Sequence, residues 1–449
     1  MSSRTDGSDV IPTQKLAAEV LAVVESSSLS AKSALREYFE DVDIDYRVRG
    51  SVHAYVFEVL KRRNFIDFIL EKALGFRNLK SINPFLINLL KIGIYEMYFK
   101  SVPPPLATDS AVRIAKEVSP RAASFVNAIL RNAENVDVDE ELEKIKKRSR
   151  RKYIALKYFH PEWYVRIAEK ITSDYEKLLM SNLSQTAYIR VNTLLSSEEK
   201  AVRRLERQEV VLEETPLPEV FRVVSYVKPL TILDGYDRDF VIQDLASCLV
   251  SIAVNPEPAD VIVDLASAPG SKTSHLAALM ENRGRIIAVD SSKERIERMK
   301  ARLKRLGVRN VECTVYDGTK FRYLAEKVLL DAPCSSTGSV RSHPSIKWRY
   351  SPKKLQALLK LQRNMLRNSA KIADEVIYST CSITFEENEE NLMKLNGIFE
   401  VKKLNLPVGM PGIRKYGRKV FDRAERVVRL YPHIHNTSGF FISRLSVKS

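Results

Sequence analysis

The 449-residue sequence predicts a multidomain protein with an all-α N-terminal region, a small α+β subdomain and an α/β core. Apolar residues recur at helical spacing in 16–24, 52–74, 85–99 and 122–133. From about residue 240 onward, short apolar runs instead alternate with helical segments. Short buried strands that alternate with helices are typical of a parallel sheet covered by helices, so the C-terminal part is assigned to the α/β class.

The sequence divides into four predicted segments. The helical domain is expected over 8–135, a charged linker over 136–152, the α+β subdomain over 153–235 and the α/β domain over 236–449. The subdomain is predicted from strand-like segments on both sides of a helical segment at 196–208. The region before this subdomain is all-helical in pattern, and this difference supports a boundary near residue 152.

The composition excludes several classes of protein. With 45% hydrophobic and 29% charged residues, the chain is expected to fold rather than to be disordered. Four cysteines are too few for a disulfide scaffold and suit a reducing compartment. Residues 1–16 lack a signal-peptide core, and Lys91 and Glu96 interrupt the longest apolar run. We therefore expect a cytoplasmic monomer with no membrane partner.

The charge balance predicts an acidic partner. The sequence has 72 lysine and arginine residues against 56 aspartate and glutamate residues, a net charge of +16, and nucleic acid is the most common partner of such a chain. Residues 1–135 contribute only +2, whereas 153–449 contribute +12. The dense basic run at 144–152 follows an acidic run at 137–143 and has two interpretations, a solvated linker helix or a phosphate-contacting arm.

Three predicted strand ends carry groups suited to a nucleoside ligand. The loop 266–272 is rich in small residues, which let a ligand approach the backbone before a helix start. Asp290 ends the next strand, where a carboxylate can accept both ribose hydroxyls or can cap the following helix. Asp317 ends a third strand and can bind an adenine amino group. Without a phosphate-binding loop, this set predicts S-adenosylmethionine rather than a dinucleotide.

Two further strand ends carry cysteines. Asp331 and Cys334 lie in DAPCSSTG, and Cys381 lies in STCSI. Metal binding is a poor explanation, because no other cysteine or histidine is clustered with them in the sequence, and a disulfide suits the compartment poorly. The disulfide stays an alternative, since the distance between the cysteines in the fold does not follow from the sequence. Cysteines at a methyl-donor site favour covalent nucleophilic catalysis, because a thiolate that adds to C6 of cytosine makes C5 nucleophilic enough to accept a methyl group.

On these motifs the chain resembles the RsmB/NOP family of RNA 5-methylcytosine methyltransferases, in its Fmu/Sun/RsmB branch. The resemblance implies an N-terminal NusB-like domain, an RNA-contacting α+β subdomain and a Rossmann-like class I methyltransferase core. It covers nearly the whole chain. The stretches that carry it are VPPPLATDSAV (102–112), SFVNAILRN (124–132), DLASAPGSKTSHL (264–276), DAPCSSTG (331–338), YSTCSI (378–383) and RLYPHIHNTSGFFISRL (429–445).

The resemblance also implies roles for individual residues. Cys381 would be the nucleophile, Cys334 would assist product release, Asp331 would bind cytosine near N3 and N4, and Lys272 would support them. In IRVNT, Arg190 and Asn192 would be RNA contacts. The implied S-adenosylmethionine site comprises Ala266, Ser267, Ala268, Pro269, Gly270, Ser271, Lys272, Asp290, Asp317 and Asp331.

The expected activity is therefore S-adenosylmethionine-dependent formation of 5-methylcytosine in RNA, through a covalent bond between a cysteine and C6. The resemblance favours small-subunit ribosomal RNA as the substrate, with tRNA as the alternative. A protein of a different class, a non-catalytic RNA-binding or ribosome-assembly factor, would use the helical domain and the basic surface but would have no need of the cysteine pair. No metal is required by this chemistry.

Overall fold

The computed structural model describes residues 12–27, 29–40, 42, 44–75 and 82–448. The chain forms two compact units. Unit 1 comprises Met1–Arg166 and His343–Arg349, and unit 2 comprises Ile167–Ser342 and Tyr350–Ser449. The segment 136–152 is helical and belongs to unit 1. The four segment boundaries drawn from the sequence stay a prediction.

The described residues form the following helices and strands. In chain order, the helices are α1 (Thr13–Ser26), α2 (Ala31–Tyr38), α3 (Tyr46–Leu74), α4 (Pro84–Phe99), α5 (Pro104–Val118), α6 (Pro120–Glu134), α7 (Val138–Arg148), α8 (Arg150–Lys157), α9 (Glu162–Ile171), α10 (Tyr175–Ser181), α11 (Glu198–Glu206), α12 (Leu245–Val254), α13 (Ser271–Leu279), α14 (Lys293–Arg305), α15 (Ile346–Arg349), α16 (Pro352–Ser369), α17 (Glu389–Lys394) and α18 (Pro432–His435). The strands are β1 (Ala187–Val191), β2 (Val211–Glu214), β3 (Val220–Ser225), β4 (Phe240–Ile242), β5 (Val261–Asp264), β6 (Arg285–Asp290), β7 (Val311–Val315), β8 (Lys327–Asp331), β9 (Glu375–Thr380), β10 (Phe399–Lys402), β11 (Met410–Pro411), β12 (Lys415–Tyr416), β13 (Lys419–Val420), β14 (Val428–Leu430) and β15 (Phe440–Val447).

Unit 1 is all-helical in its described residues, as its apolar periodicity predicts, and α1, α3, α4 and α6 enclose its core. Asn83, a residue type typical of N-caps, caps α4, because its side chain accepts a hydrogen bond from the Phe85 N–H. By residue type Thr108 or Asp109 could cap the next helix, but this expectation is wrong, because both lie inside α5. Helix α5 already begins at Pro104, since a proline loses nothing in a first turn where the backbone N–H has no helical partner.

A short piece of the C-terminal half is built into unit 1. Within 343–349, the Lys347 ammonium donates hydrogen bonds to the carbonyls of Lys61 and Phe159, at 2.7 and 2.6 Å. Burial lowers the pKa of Lys347 well below its usual value. The two carbonyls satisfy this polar group inside the helical unit.

The small antiparallel sheet of unit 2 has the strand order β2-β3-β1-β4. Its first three strands and α11 form the strand–helix–strand pattern predicted for the α+β subdomain. Strand β4 lies beyond residue 235 and pairs with β1, with Ile189 opposite Ile242. The chain therefore enters the α/β part directly from this sheet.

The main sheet of unit 2 has nine strands in the order β11-β14-β15-β9-β8-β5-β6-β7, with β10 paired to β15. Strands β5 to β9 are mutually parallel, whereas β15 runs antiparallel beside β9, and β14 runs antiparallel beside β15. The strand order reverses between β5 and β8, and ligands of such sheets bind beyond the carboxyl ends of the strands at that reversal. No helix among the residues described here combines the length and apolar character needed to cross a membrane.

Candidate active site

A pocket of about 270 Å³ lies beyond the carboxyl ends of β5, β6, β8 and β9. Its walls combine the small-residue loop after β5, two carboxylates, both motif cysteines and apolar side chains of α16. The lining residues are Leu265, Ala266, Ala268, Asp290, Ser291, Arg295, Asp331, Ala332, Pro333, Cys334, Ser336, Leu361, Met365 and Cys381. The strand-order reversal thus brings both cysteines and part of the predicted donor site into one cavity. The predicted donor-site residues that do not line it are Ser267, Pro269, Gly270, Ser271, Lys272 and Asp317.

The two cysteines face each other in this pocket. Their Sγ atoms lie 3.3 Å apart, and the Cys381 Sγ also lies 3.3 Å from the Ser336 Oγ. Strands β8 and β9 are adjacent and parallel, with Asp331 opposite Ser379 in register. Because Cys334 and Cys381 follow these strands at the same edge, the sheet itself makes the two thiols neighbours.

The surroundings polarise the two thiols in opposite directions. A hydrogen bond from the Cys334 thiol lowers the pKa of Cys381, against burial and the Asp331 charge, which raise it. The Ser336 hydrogen bond and the Lys272 charge also lower it. The same hydrogen bond, together with burial, raises the pKa of Cys334 well above its usual value. Cys381 is therefore the group that loses its proton first.

This asymmetry gives a prediction for thiol chemistry in the protein alone. Since the pKa of Cys381 is lowered, its thiolate fraction rises at a lower pH than that of an ordinary thiol near 8.5, and Cys334 follows at higher pH. At neutral pH we expect iodoacetamide to label Cys381 at least ~10-fold faster than Cys334, because one pKa unit changes the thiolate fraction about tenfold. Peptide mass spectrometry over a pH series measures both rates. Preferential labelling of Cys334 would reverse the assignment of the thiolate.

Asp331 joins the cysteine pair to two further polar groups. Its carboxylate accepts a 2.7 Å hydrogen bond from the Lys272 ammonium and another of 2.7 Å from the Ser379 hydroxyl. Burial lowers the pKa of Lys272, but the Asp331 charge outweighs it, so the pKa is raised and the ammonium stays protonated. Asp331 lines the pocket and Lys272 does not. Lys272 thus acts on the site through Asp331 and through its charge.

The loop after β5 turns sharply into α13. Gly270 has φ +91°, and a Cβ added there would approach the Met299 side chain to 2.8 Å. A residue without a side chain is therefore needed for this turn. The turn leaves the backbone of Ala266 and Ala268 at the pocket wall.

The pocket fits a nucleoside-bearing methyl donor. The Asp290 side chain is only 4% exposed yet lines the pocket, where its carboxylate accepts from the Ala268 N–H at 3.3 Å and pairs with Arg295 at 3.0 Å. A carboxylate has room for further donors such as ribose hydroxyls. Leu361 and Met365 supply the apolar surface that a purine ring or a thioether requires.

Asp317 lies outside the set of residues that line the pocket. Its carboxylate is exposed and accepts two 2.8 Å hydrogen bonds from Thr319, one from the backbone N–H and one from the hydroxyl. These bonds lower the pKa of Asp317. Its expected place beside the adenine stays a prediction.

The structure corrects the expectation that Arg190 and Asn192 contact RNA. Arg190 is 1% exposed and donates to Gln243 and Ser274, at 3.0 and 3.1 Å. Asn192 is 2% exposed and donates to the carbonyls of Arg238 and Leu306. Both side chains tie the small sheet to the α/β core, because their hydrogen-bonding groups are used within unit 2.

Sequence reasoning missed several residues of the site. Ser379 precedes Cys381 by two positions within β9, and Arg295 projects from α14 onto Asp290. Glu387 lies behind the cysteines and binds both loops that carry them. The motif order gave no signal for Glu387, because four glutamates occur in the stretch 386–390. No group of three or more potential metal-binding side chains occurs in the described part of the chain.

Both parts of the chain match known protein families. A sequence profile described as 16S rRNA methyltransferase RsmB/F matches residues 251–446, and a NusB family profile matches residues 12–135. The probable ribosomal RNA small subunit methyltransferase B of Bacillus subtilis is 27% identical over 96% of this chain and 98% of its own length.

Other relatives match different parts of the chain. The tRNA (cytosine(49)-C(5))-methyltransferase of Pyrococcus abyssi is 34% identical over 64% of this chain and 98% of its own length. Among solved structures, that of PH0851 superimposes with a TM-score of 0.80 at 27% identity, covering 97% of this chain and 99% of that one. The similarity to PH0851 and to the Bacillus subtilis enzyme thus spans both the helical domain and the α/β core.

Proposed function

Because the chain belongs to the RsmB/F family of S-adenosylmethionine-dependent RNA cytosine-C5 methyltransferases, we propose that it methylates small-subunit ribosomal RNA through a covalent bond between Cys381 and cytosine C6. The observation that carries the covalent route is the pair of thiols, 3.3 Å apart at one wall of the donor pocket. A binding protein would have no use for two partly buried, oppositely polarised thiols.

In the first step, the Cys381 thiolate adds to C6 of a cytosine that has left its base stack. The S–C6 bond forms, and the electron pair of the C5–C6 double bond moves toward C5. Asp331 binds the N3 and N4 edge of the ring, while the Lys272 ammonium and the Ser379 hydroxyl hold its carboxylate. The electron density that reaches N3 takes up a proton from water, so that N3–H and N4–H both donate to the Asp331 carboxylate, and this proton returns to water when the S–C6 bond breaks.

The 266–272 loop and Asp290 would hold S-adenosylmethionine, which would supply the electrophilic methyl group for C5. The C5 proton must then leave, and the S–C6 bond must break so that the double bond returns and Cys381 is released as a thiolate. Cys334 is the nearest candidate for this proton transfer, since its sulfur lies 3.3 Å from that of Cys381.

The choice of ribosomal RNA rests on which relatives share the whole chain. The Bacillus subtilis small-subunit enzyme aligns over 96% of the chain, so it includes the helical domain. The Pyrococcus abyssi tRNA enzyme aligns over 98% of its own length but over only 64% of this chain. A NusB-like domain at 12–135 is therefore the feature that favours the ribosomal substrate.

Bisulfite sequencing of total RNA from cells with and without the protein tests this proposal. We expect one cytosine of the small-subunit ribosomal RNA to lose its protection from conversion when the protein is absent. Loss of protection in a tRNA instead would move the substrate to tRNA and leave the chemistry intact. Unchanged RNA in both classes, with no methyl transfer by the purified protein, would favour a non-catalytic RNA-binding or assembly factor.

A further inference from the structure

Glu387 carries a dense set of hydrogen bonds behind the reactive cysteines. The side chain is 0% exposed. Its Oε1 accepts from the Ser335 N–H at 2.7 Å and the Gln362 amide at 3.0 Å. Its Oε2 accepts from the hydroxyls of Ser382 at 2.6 Å and Thr384 at 2.9 Å, and from that of Ser335. One buried carboxylate thus collects five donors.

Four of these five donors come from the two loops that carry the reactive thiols, and the fifth, the Gln362 amide, comes from α16. Ser335 directly follows Cys334, and Ser382 directly follows Cys381. We propose that Glu387 is a positioning residue, whose carboxylate clamps the two loops so that the two sulfur atoms face each other across the pocket. This inference rests on the proposed two-cysteine chemistry and adds a residue that does not itself touch the substrate.

The clamp supplements the sheet at a point where strand pairing has ended. Strand β8 stops at Asp331 and β9 at Thr380, so the cysteines lie on irregular backbone. A second link lies close by, because the Gly338 N–H donates to the Cys381 carbonyl at 2.9 Å. Other contacts between these loops are hydrogen bonds between neutral groups, such as that between the hydroxyls of Thr337 and Ser382. Glu387 instead bonds the hydroxyls of both Ser335 and Ser382 with one charged carboxylate.

The charge of Glu387 also distinguishes the two thiols. In the described part of the chain no ion pair neutralises this carboxylate, so hydrogen bonds alone stabilise it. The pKa of Cys334 is raised most by the hydrogen bond to Cys381, then by burial and by the Cys381 charge. The Glu387 charge is the next largest cause. The largest causes that shift the pKa of Cys381 are others, namely the Cys334 hydrogen bond, burial and the Asp331 charge. Glu387 therefore favours a protonated Cys334 opposite an ionised Cys381.

The test replaces the charge and keeps the shape, with Glu387→Gln compared to Glu386→Gln. Glu386 is the neighbouring glutamate outside the clamp, and it faces Tyr416. Iodoacetamide labelling of the full-length protein, with no RNA and no methyl donor, gives the rate ratio of Cys381 to Cys334 over a pH series. We expect this ratio to fall about tenfold in Glu387→Gln, since a one-unit change in pKa difference alters the ratio tenfold, and to stay unchanged in Glu386→Gln.

Turnover gives a second measurement of the same variants. If the clamp positions the thiols, Glu387→Gln should lower kcat about 100-fold while KM for RNA and for S-adenosylmethionine stays within about twofold. A folded Glu387→Gln protein with an unchanged labelling ratio would overturn the proposal. If this variant does not fold, Ser335→Ala and Ser382→Ala decide the matter, because each removes one donor, and an unchanged ratio in both would also overturn it.

The labelling ratio needs no methyl transfer, so the two proposals fail separately. A wild-type protein that transfers no methyl group to any RNA contradicts the proposed function and leaves the labelling result standing. If the wild-type enzyme is active and Glu387→Gln leaves the ratio of Cys381 to Cys334 labelling unchanged, only the proposed role of Glu387 is contradicted.

Discussion

Replacement of Cys381 by alanine is expected to abolish methyl transfer, with a loss on the order of 10⁴-fold or more in kcat. Cytosine C5 is too weak a nucleophile to accept a methyl group until a thiolate has added to C6. Cys381 is the thiol whose pKa is lowered, and it lies at the pocket wall with Asp331. Transfer of a labelled methyl group from S-adenosylmethionine to RNA measures the loss.

Two controls show whether the loss of activity in Cys381→Ala comes from the missing thiol. Binding of S-adenosylmethionine by Cys381→Ala should match wild type within about twofold, because the donor loop and Asp290 are unchanged. Cys313→Ala serves as the matched control, since Cys313 is a partly buried cysteine on β7 outside the pocket. Residual activity of Cys381→Ala above about a tenth of wild type would contradict the role of Cys381 as nucleophile.

Much of the α/β core followed from local pattern. The apolar run RIIAVD at 285–290 predicts a strand, and β6 has these bounds. The helical spacing over 292–307 predicts a helix, which is α14 (Lys293–Arg305) with Ser292 as its cap. In a parallel sheet, buried strands are continuous apolar runs with polar residues at their ends, so the pattern marks both the strand and its functional edge. The pattern also puts Cys334 and Cys381 after strand ends, but their meeting depends on the strand order, which the local pattern does not give.

Other features depended on tertiary context. Arg190 lies in β1 between the buried residues Ile189 and Val191, and alternation predicts that an arginine between them faces solvent. The opposite face of β1 is also covered, so the guanidinium is buried against Gln243 and Ser274. Burial of Arg190 lowers its pKa to about 10. The sequence of a single strand does not show that both of its faces are covered by other parts of the protein.

The position of Glu387 shows the same limit within the site. Glu386, Glu387, Glu389 and Glu390 are equivalent in composition, yet only tertiary packing gives each its partner. Glu387 binds the two cysteine loops, whereas Glu389 forms a buried pair with Arg429, which in turn donates to the carbonyls of Ile383 and Thr384. The residue types in the motifs predict the reactive groups. Long-range contacts determine which other side chains bind the loops that carry these groups.

Replacement of Cys334 by alanine is expected to trap a covalent complex between the protein and its RNA. Cys381 and Asp331 remain, so addition to C6 and methylation at C5 proceed, but the group nearest to Cys381 for removing the C5 proton is lost. Loss of a general base typically costs 10²–10⁴-fold, so turnover should fall by about this range. A slowly migrating RNA–protein band on a denaturing gel, absent from Cys381→Ala and from the double variant, measures the trapped adduct.

The thiol pair explains why Cys334 can act late rather than early. In the free enzyme its pKa is raised chiefly by the hydrogen bond to Cys381, then by burial and by the charge on that sulfur. Once the Cys381 sulfur is bonded to C6, it carries no charge and is a poor acceptor, so two of these causes disappear. Cys334 can then release its proton to water and take the proton from C5, which lets the S–C6 bond break. An adduct that forms in Cys381→Ala but not in Cys334→Ala would exchange the two roles.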